Sequence, residues 1–469
     1  MSRYIPDDRC ALLLPRATWD QYIADHGPLY KDEKLPQRTG IRPNSSPASC
    51  RASVGRALFS FLMVASGFLL ASFVLIRGLA AWPFGVQKRL NGTTAAPLRF
   101  TSEGTFQIAV FEDLHFGEAE NTDWGPEQDV YSTKVMNTVL SIESPQLVVL
   151  NGDLITGENT FLSNSSSYVD QIVQPLVERG LSWASTYGNH DSDFNLSREA
   201  IFDRETSYAN CLTNNMVVGD DAGVSNYYLP VFGKDVNSSV PALLIWFFDS
   251  RGGNYFQELD AEGNEVPQPN WVGQSVVDWF QTTKAELAQQ YGTTIPSIAF
   301  VHIPVNAMAA FQTMGVNSQQ EPGINDDNPL AQQGYAEGQG TVSGNVFTYS
   351  GQDIPFMSAL LDTSGLLAVF SGHDHGDDWC FKWNTTLPGM NLTGNGLNLC
   401  FGRHSGYGGY GSWTRGSRQI FITEADLENS VVETWVTLED SNISGKVSLN
   451  STYGSDEYPV VADTDTGLP

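Results

Sequence analysis

Six short apolar runs, each ending in polar residues, alternate with helical stretches, and this pattern constrains the fold more than any other feature. The runs are FQIAVFED (106–113), QLVVLNGD (146–153), LSWASTYGNHD (181–191), ALLIWFFDS (242–250), SIAFVHIP (297–304) and LLAVFSGHDH (366–375). Three segments between them have helical spacing and length, namely 126–143, 166–180 and 271–292. Continuously apolar strands that alternate with helices predict an α/β fold with covered sheets, in which sites gather at the carboxyl ends of the strands.

The histidines of the chain concentrate at these strand ends. Of the seven, all but His26 follow one of the apolar runs or lie in the later segment GRHSGYGGY. In SGHDHGDDW, His373 and His375 stand two residues apart, so an extended chain would direct both imidazoles to one side. An isolated HxH is more often a solvated turn, but five polar blocks at strand ends indicate a metal site. The other candidate ligands are Asp113, His115, Asp153, Asn189 and His302.

The blocks DxH, GD, GNHD, VH and GHDH resemble, in type and order, the signature of calcineurin-like metallophosphoesterases over residues 104–440. GHDHGDDW followed by FGRHSGYGGYG is similar to a fungal branch related to purple-acid-phosphatase-type plant proteins. The resemblance implies a sandwich of two mixed β-sheets flanked by helices. It also implies a two-metal site with Asp113, His115 and His375 on one ion, Asn189, His302 and His373 on the other, and Asp153 bridging both.

The metal chemistry follows from the donor types. Imidazole and carboxylate without thiolate suit two divalent or mixed-valence ions such as Mn, Fe or Zn, which would activate a bridging hydroxide as the nucleophile. Purple enzymes have a tyrosine three residues after the bridging aspartate. Thr156 occupies that position here, and His115 is present, so we expect no tyrosinate-to-iron colour.

A general acid is expected next to the metal site. His190 follows Asn189 directly and precedes Asp191, so an imidazole–carboxylate pair could protonate the leaving alkoxide. The resemblance implies this role, and the alternative is a histidine that only supports the metal ligands through hydrogen bonds.

Three further residues are candidates for contact with the substrate. Arg251 in FFDSRGG and Arg403 in FGRHSGYGGY lie on Gly-rich segments, where a guanidinium group could grip a phosphate. Surface salt bridges are the commoner use of arginine, so this alternative stays open. His404 either supports the site or packs within its loop.

The charge of the chain limits the class of substrate. A formal net charge of −28 argues against a nucleic-acid partner, which would require stripes of lysine and arginine. The favoured function is a metal-dependent phosphomonoesterase acting on a phosphorylated small molecule or a phosphoprotein. A phosphodiesterase would use the same metal site but should have a basic groove. An inactive binding or scaffold module should have lost a ligand, and every ligand position is intact.

An uncharged run of twenty residues occupies 57–76, ALFSFLMVASGFLLASFVLI. Its helical length would match the ~30 Å core of a bilayer. A signal peptide usually has a shorter apolar region near the amino terminus, so the run predicts a membrane-spanning helix. The predicted organisation is a disordered cytosolic tail (1–56), a transmembrane signal anchor (57–76), a linker (77–103), the metallophosphoesterase domain (104–440) and an acidic, largely irregular tail (441–469).

The orientation of this span rests on weaker features, since basic residues flank it evenly on both sides. The segment before the span is basic, and the long part after it is acidic and rich in glycosylation sequons. These features favour a type II glycoprotein with a lumenal or extracellular catalytic domain. The sequons of the long part are at Asn91, Asn164, Asn195, Asn237, Asn384, Asn391, Asn442 and Asn450.

The cysteines of the long part allow one disulfide. Cys380 and Cys400 enclose a Gly/Asn-rich loop that a disulfide would close, and Cys211 would then be left over. Three reduced, buried thiols are the alternative.

Overall fold

The computed structural model describes residues 96–330, 341–344 and 346–466. Its strands are β1 Thr105–Phe111, β2 Leu147–Asn151, β3 Trp183–Thr186, β4 Tyr227–Phe232, β5 Pro241–Phe248, β6 Asn254–Leu259, β7 Glu265–Pro267, β8 Ser297–Val301, β9 Thr341–Ser343, β10 Val346–Thr348, β11 Leu366–Ser371, β12 Cys380–Trp383, β13 Leu397–Phe401, β14 Gly416–Thr423, β15 Val432–Leu438 and β16 Ile443–Leu449. Its helices are α1 Trp124–Ile142, α2 Ser165–Arg179, α3 Arg198–Glu205, α4 Gln274–Tyr291, α5 Asn306–Gln312, α6 Ile354–Leu361 and α7 Glu424–Glu428.

Two six-stranded sheets form the sandwich, and each is mixed. The first has the order β16-β15-β14-β1-β2-β3, in which β1, β2 and β3 run parallel and the three later strands are antiparallel. The second has the order β12-β13-β11-β8-β5-β4, in which β13, β11, β8 and β5 run parallel. Two-stranded pairs, β6-β7 and β9-β10, lie outside these sheets.

Both faces of the parallel strands are buried. In β1, Phe106 and Ile108 belong to the core shared by the two sheets, together with Ile298 of β8. Ala109 belongs instead to the core that packs against α1 and α2, and Ala299 to the core that packs against α4 and α6. Burial on both sides explains why these strands are apolar without alternation.

The structure confirms the six strands and three helices that the sequence predicts. The other ten strands, β4, β6, β7, β9, β10 and β12 to β16, were missed, because several of them are short or carry polar residues on an exposed face. The last of these, β16 Ile443–Leu449 (ISGKVSL), pairs with β15 and extends the first sheet beyond residue 440.

The predicted membrane topology requires correction. Within the described ranges, no helix is long and apolar enough to cross a bilayer. The two longest, α1 and α4, place charged residues such as Glu127 and Glu286 on their exposed sides. The fold class with a membrane-spanning helix, and the single-pass type II location built on it, are therefore not supported. The segment on which that prediction fell, 57–76, lies outside the described residues.

Candidate metal centre

The candidate ligands meet because the parallel strands of both sheets end at the same edge of the sandwich. In the first sheet, Asp113 and His115 follow β1, Asp153 follows β2, and Asn189 follows β3. In the second sheet, His302 follows β8, and His373 and His375 follow β11. Four of these residues have a positive backbone φ angle. In a residue other than glycine this conformation costs on the order of 1–3 kcal/mol, and such residues are concentrated at functional sites. The four are Asp113, His115, Asp153 and His373.

The side chains form two adjoining groups, both buried. One consists of Asp113, His115 and His375; the other consists of Asp153, His302 and His373. In each group the ligand atoms lie within 4.8 Å of one another.

Short distances define the first group and join it to the second. His115 Nε2 lies 3.2 Å from His375 Nε2, which is itself 3.6 Å from Asp113 Oδ1. Asp153 Oδ2 lies 3.0 Å from His302 Nε2 and 3.8 Å from His115 Nε2. The carboxylate of Asp153 therefore faces histidines of both groups.

Hydrogen bonds fix the orientation of two imidazoles. His302 Nδ1 is 2.8 Å from the carbonyl oxygen of Asn151, and His375 Nδ1 is 3.0 Å from that of Tyr410. A carbonyl oxygen only accepts, so each Nδ1 donates its hydrogen to the main chain, and Nε2 is the ring atom that faces the carboxylates.

The donor set fits bound cations. Carboxylate oxygens and imidazole nitrogens, the atoms with which proteins bind such ions, face one another in a buried space. The Oδ1 atom of Asn189 is also buried, and no hydrogen-bond partner for it exists among the described residues. Such a concentration of buried carboxylate, amide and imidazole ligand atoms is suited to holding positive charge between them. The fold and the two candidate sites support two metal ions.

The electrostatics of the cluster reflect the same crowding. Burial alone would raise the pKa of Asp153, but His302 and His190 hold it well below its ordinary value. Burial would lower the pKa of His302, and Asp153 beside it instead raises it to about 10. Burial and the neighbouring His190 lower the pKa of His115 well below its usual range.

The carboxylate beside His190 is not the one expected. Nδ1 of His190 lies 2.7 Å from Oε1 of Glu158. Asp191 accepts hydrogen bonds from three backbone N–H groups, those of Leu154 (2.9 Å), Ile155 (3.0 Å) and Gly188 (2.8 Å). The carboxylate paired with His190 is therefore that of Glu158 and not, as expected, that of Asp191. The Asp191 carboxylate is instead occupied by backbone N–H groups.

The two candidate arginines bind acceptors of the chain itself. Arg251 donates through Nε (3.0 Å) and Nη2 (2.8 Å) to the carbonyl oxygen of Trp271. Arg403 is 2% exposed; its Nη1 lies 2.8 Å from Asp378 Oδ2, and its Nε and Nη2 donate to the carbonyl oxygen of Thr414. These contacts give no support to the expected grip on a phosphate.

His404 lies directly behind a candidate ligand. Its ring centroid is 3.8 Å from that of His375, and its Nε2 is 3.1 Å from the carbonyl oxygen of Gly408. Burial, followed by the charge of Arg415, lowers its pKa well below the usual range. His404 is therefore placed to support His375.

Cys380 and Cys400 form a disulfide in the structure. The two residues stand opposite each other on the antiparallel strands β12 and β13. Cys211 is buried and takes no part in this disulfide. Strand β12 begins five residues after His375, so one end of the disulfide closely follows two of the candidate ligands in the chain.

Sequence reasoning missed two residues that contact the site. Glu158 lies five positions after Asp153 on a loop, and no local pattern links it to His190. Tyr410 belongs to the segment GRHSGYGGY, and nothing in that segment indicates which aromatic ring meets His375.

Comparisons with known proteins bear on the family to which this chain belongs. The family model for calcineurin-like phosphoesterases matches residues 106–377. A relative from Arabidopsis thaliana, named probable inactive purple acid phosphatase 14, is 26% identical over 381 residues, which cover 74% of this chain and 84% of the relative. Phosphatase DCR2 of Saccharomyces cerevisiae is 28% identical over 359 residues, 74% of this chain and 56% of the relative. A solved dimetal phosphatase from Danio rerio aligns over 74% of this chain and 98% of its own, with 13% identity and a TM-score of 0.45.

Proposed function

The chain belongs to the calcineurin-like phosphoesterase family, and we propose from this premise that it is a phosphomonoesterase with two metal ions. The observation that carries the proposal is the meeting of both sheets' strand-end ligands in two adjoining buried groups. In this proposal one ion is held by Asp113, His115 and His375, the other by Asn189, His302 and His373, and Asp153 serves both.

The donor set suits Mn, Fe or Zn, and two such ions would supply a water nucleophile at neutral pH and stabilise charge on phosphoryl oxygens. In this proposal, residues of the chain fix the positions of the groups that bind the two ions. Asp153 faces His115 and His302 across the two groups and also accepts the backbone N–H of His190 at 2.7 Å. This last bond fixes the loop after β3 relative to the ligands.

His190 is the proposed proton donor to the leaving oxygen. Its ring lies beside the first group, 4.9 Å from the ring of His115, and its side chain is 20% exposed. Because Nδ1 lies at the carboxylate of Glu158, the transfer would use Nε2. Glu158 would fix the direction of the ring and stabilise its charged form.

A second candidate function is an inactive binding module. The names of the Arabidopsis relatives favour it, since several are called probable inactive purple acid phosphatases. The intact ligand set of this chain favours hydrolysis. A phosphodiesterase is a third possibility with the same ligands, and the net charge of −28 counts against its usual polyanionic substrates.

One assay separates these functions. The purified full-length chain is stripped with a chelator and tested on p-nitrophenyl phosphate, bis-p-nitrophenyl phosphate and a phosphoserine peptide, with and without added Mn²⁺ or Zn²⁺. We expect metal-dependent hydrolysis, followed as nitrophenolate from the two nitrophenyl esters and as phosphate from the peptide, and fastest from a monoester. Preference for the diester would establish the phosphodiesterase, and metal binding without turnover of any substrate would establish the binding module.

A further inference from the structure

Tyr410 contacts His375 in three ways. Its ring is stacked on the imidazole, with centroids 4.1 Å apart and planes inclined by 10°. Its carbonyl oxygen lies 3.0 Å from His375 Nδ1, and its hydroxyl oxygen accepts the backbone N–H of His375 at 3.2 Å. Ring, main chain and hydroxyl of one residue therefore define where the Nε2 atom of His375 points.

The hydroxyl of Tyr410 connects this contact to a second loop. It donates to Asp327 Oδ2, which also accepts the backbone N–H of Gly376 at 2.8 Å. Asp326 adds a main-chain bond to the carbonyl oxygen of Gly376 at 2.9 Å. Tyr410 on one loop and Asp326 and Asp327 on another therefore both form hydrogen bonds with the segment that carries His375.

The loop that carries Tyr410 is itself fixed. Gly409 has φ +74°, and a Cβ atom on it would lie 2.5 Å from Cε1 of His375, so only glycine allows this approach. Beyond the loop, Thr414 N donates to the carbonyl oxygen of Thr464 (2.7 Å), and Thr466 N donates to that of Ser412 (2.8 Å). The last described residues of the chain brace the loop against the sandwich.

We propose that Tyr410 is a positioning residue that sets the affinity of the ion held by Asp113, His115 and His375. The inference rests on the proposed function, because it requires the two ions. The other ion should be little affected, since His302 is oriented independently by the carbonyl oxygen of Asn151. Groups that orient a metal-binding histidine typically contribute ~10–100-fold to metal affinity.

The test measures metal binding rather than turnover. The metal-free full-length chain and its variants are titrated with Mn²⁺, and separately with Zn²⁺, by isothermal calorimetry. For Tyr410→Ala we expect one of two ions to bind ~10–100-fold more weakly. For Tyr410→Phe, which keeps the ring and the carbonyl but loses the hydroxyl, we expect a loss of about 5-fold.

Two reference variants make the result specific. Tyr407→Phe is the matched control from the same loop, because the Tyr407 hydroxyl donates to Glu439; both of its affinities should equal those of the wild type. His115→Ala identifies the ion, because it removes a ligand of the first group. Thermal denaturation of each metal-free variant reports whether the fold is retained.

The outcomes separate this inference from the proposed function. A wild type that binds neither metal would remove the two-metal proposal. A wild type that binds two ions, with Tyr410→Ala binding both equally well, would overturn the role of Tyr410 alone. Equal weakening of both ions by a folded Tyr410→Ala variant would also overturn it, because the selective effect on the His375 ion would be missing.

Discussion

Asp153 and Asp191 both follow buried parallel strands of the first sheet, and both are almost fully buried, at 1% and 0% exposure. Their partners differ in kind, apart from the single backbone N–H of His190 that Asp153 accepts. Asp153 faces the imidazoles of His302 and His115, whereas Asp191 accepts three backbone N–H groups. Burial raises the pKa of Asp191 to about 7, with a further contribution from Asp153, while the imidazoles keep the pKa of Asp153 low.

The comparison teaches that burial at a strand end does not distinguish a ligand from a structural carboxylate. A carboxylate surrounded by imidazoles needs a cation, and a carboxylate surrounded by N–H groups already has its partners. Asp153 should therefore control metal binding and turnover, and Asp191 should control the stability of the loops.

The largest expected effect is that of Asp153→Asn. The amide has one oxygen instead of two and no charge, so it cannot serve both groups of ligands. We expect metal-dependent hydrolysis to fall at least ~10³-fold, equivalent to about 4 kcal/mol, while circular dichroism shows a folded protein. Substantial turnover by this variant would contradict the assignment of Asp153 to both ions.

The next effect concerns His190, which lies beside the ligands without belonging to either group. His190→Ala should still bind two ions but lose ~10²–10⁴-fold in rate on an alkyl phosphate, whose leaving group needs a proton. The loss on p-nitrophenyl phosphate should be much smaller, because nitrophenolate leaves without one. Equal losses on both substrates would show that His190 only supports the structure.

Asp191→Asn tests the other side of the comparison. Its amide would turn an N–H₂ group towards a backbone N–H, leaving a buried donor unsatisfied at a cost of about 1–3 kcal/mol. Denaturant unfolding should show this loss, whereas kcat under conditions where the variant is folded should change little. If the variant were fully stable but had no turnover, Asp191 would belong, like Asp153, to the residues that control metal binding and turnover.

A last effect is a pH dependence of stability at Asp129, a buried carboxyl that accepts the backbone N–H of Gly117 at 3.2 Å. Burial raises its pKa to about 7, so between about pH 4 and 7 the folded state keeps a proton that the unfolded chain releases. The free energy of unfolding should therefore fall as pH rises through this window, by at most ~1.4 kcal/mol per unit. Asp129→Asn should flatten this part of the profile; an unchanged slope would assign it to other groups.

The sequence was a good guide to the elements that precede the ligands. Buried parallel strands are apolar without interruption, and their carboxyl ends share an edge, so strand order and polar endings together predict a common site. It was a poor guide to β16 and to the loops. A half-exposed strand such as ISGKVSL has little periodic signal, and the roles of Arg251 and Arg403 depended on acceptors far along the chain.

By itself, the sequence determined which residues could bind metal and where along the chain they would stand, because local apolar pattern and strand direction are properties of short segments. Only the tertiary structure decided which partner each of them received. His375 and His115 are separated by 260 positions and meet through the packing of two sheets, and Glu158 replaces Asp191 beside His190 because loop conformation assigns the nearer carboxylate to backbone N–H groups. Such choices depend on contacts between distant segments, and no short stretch of sequence contains them.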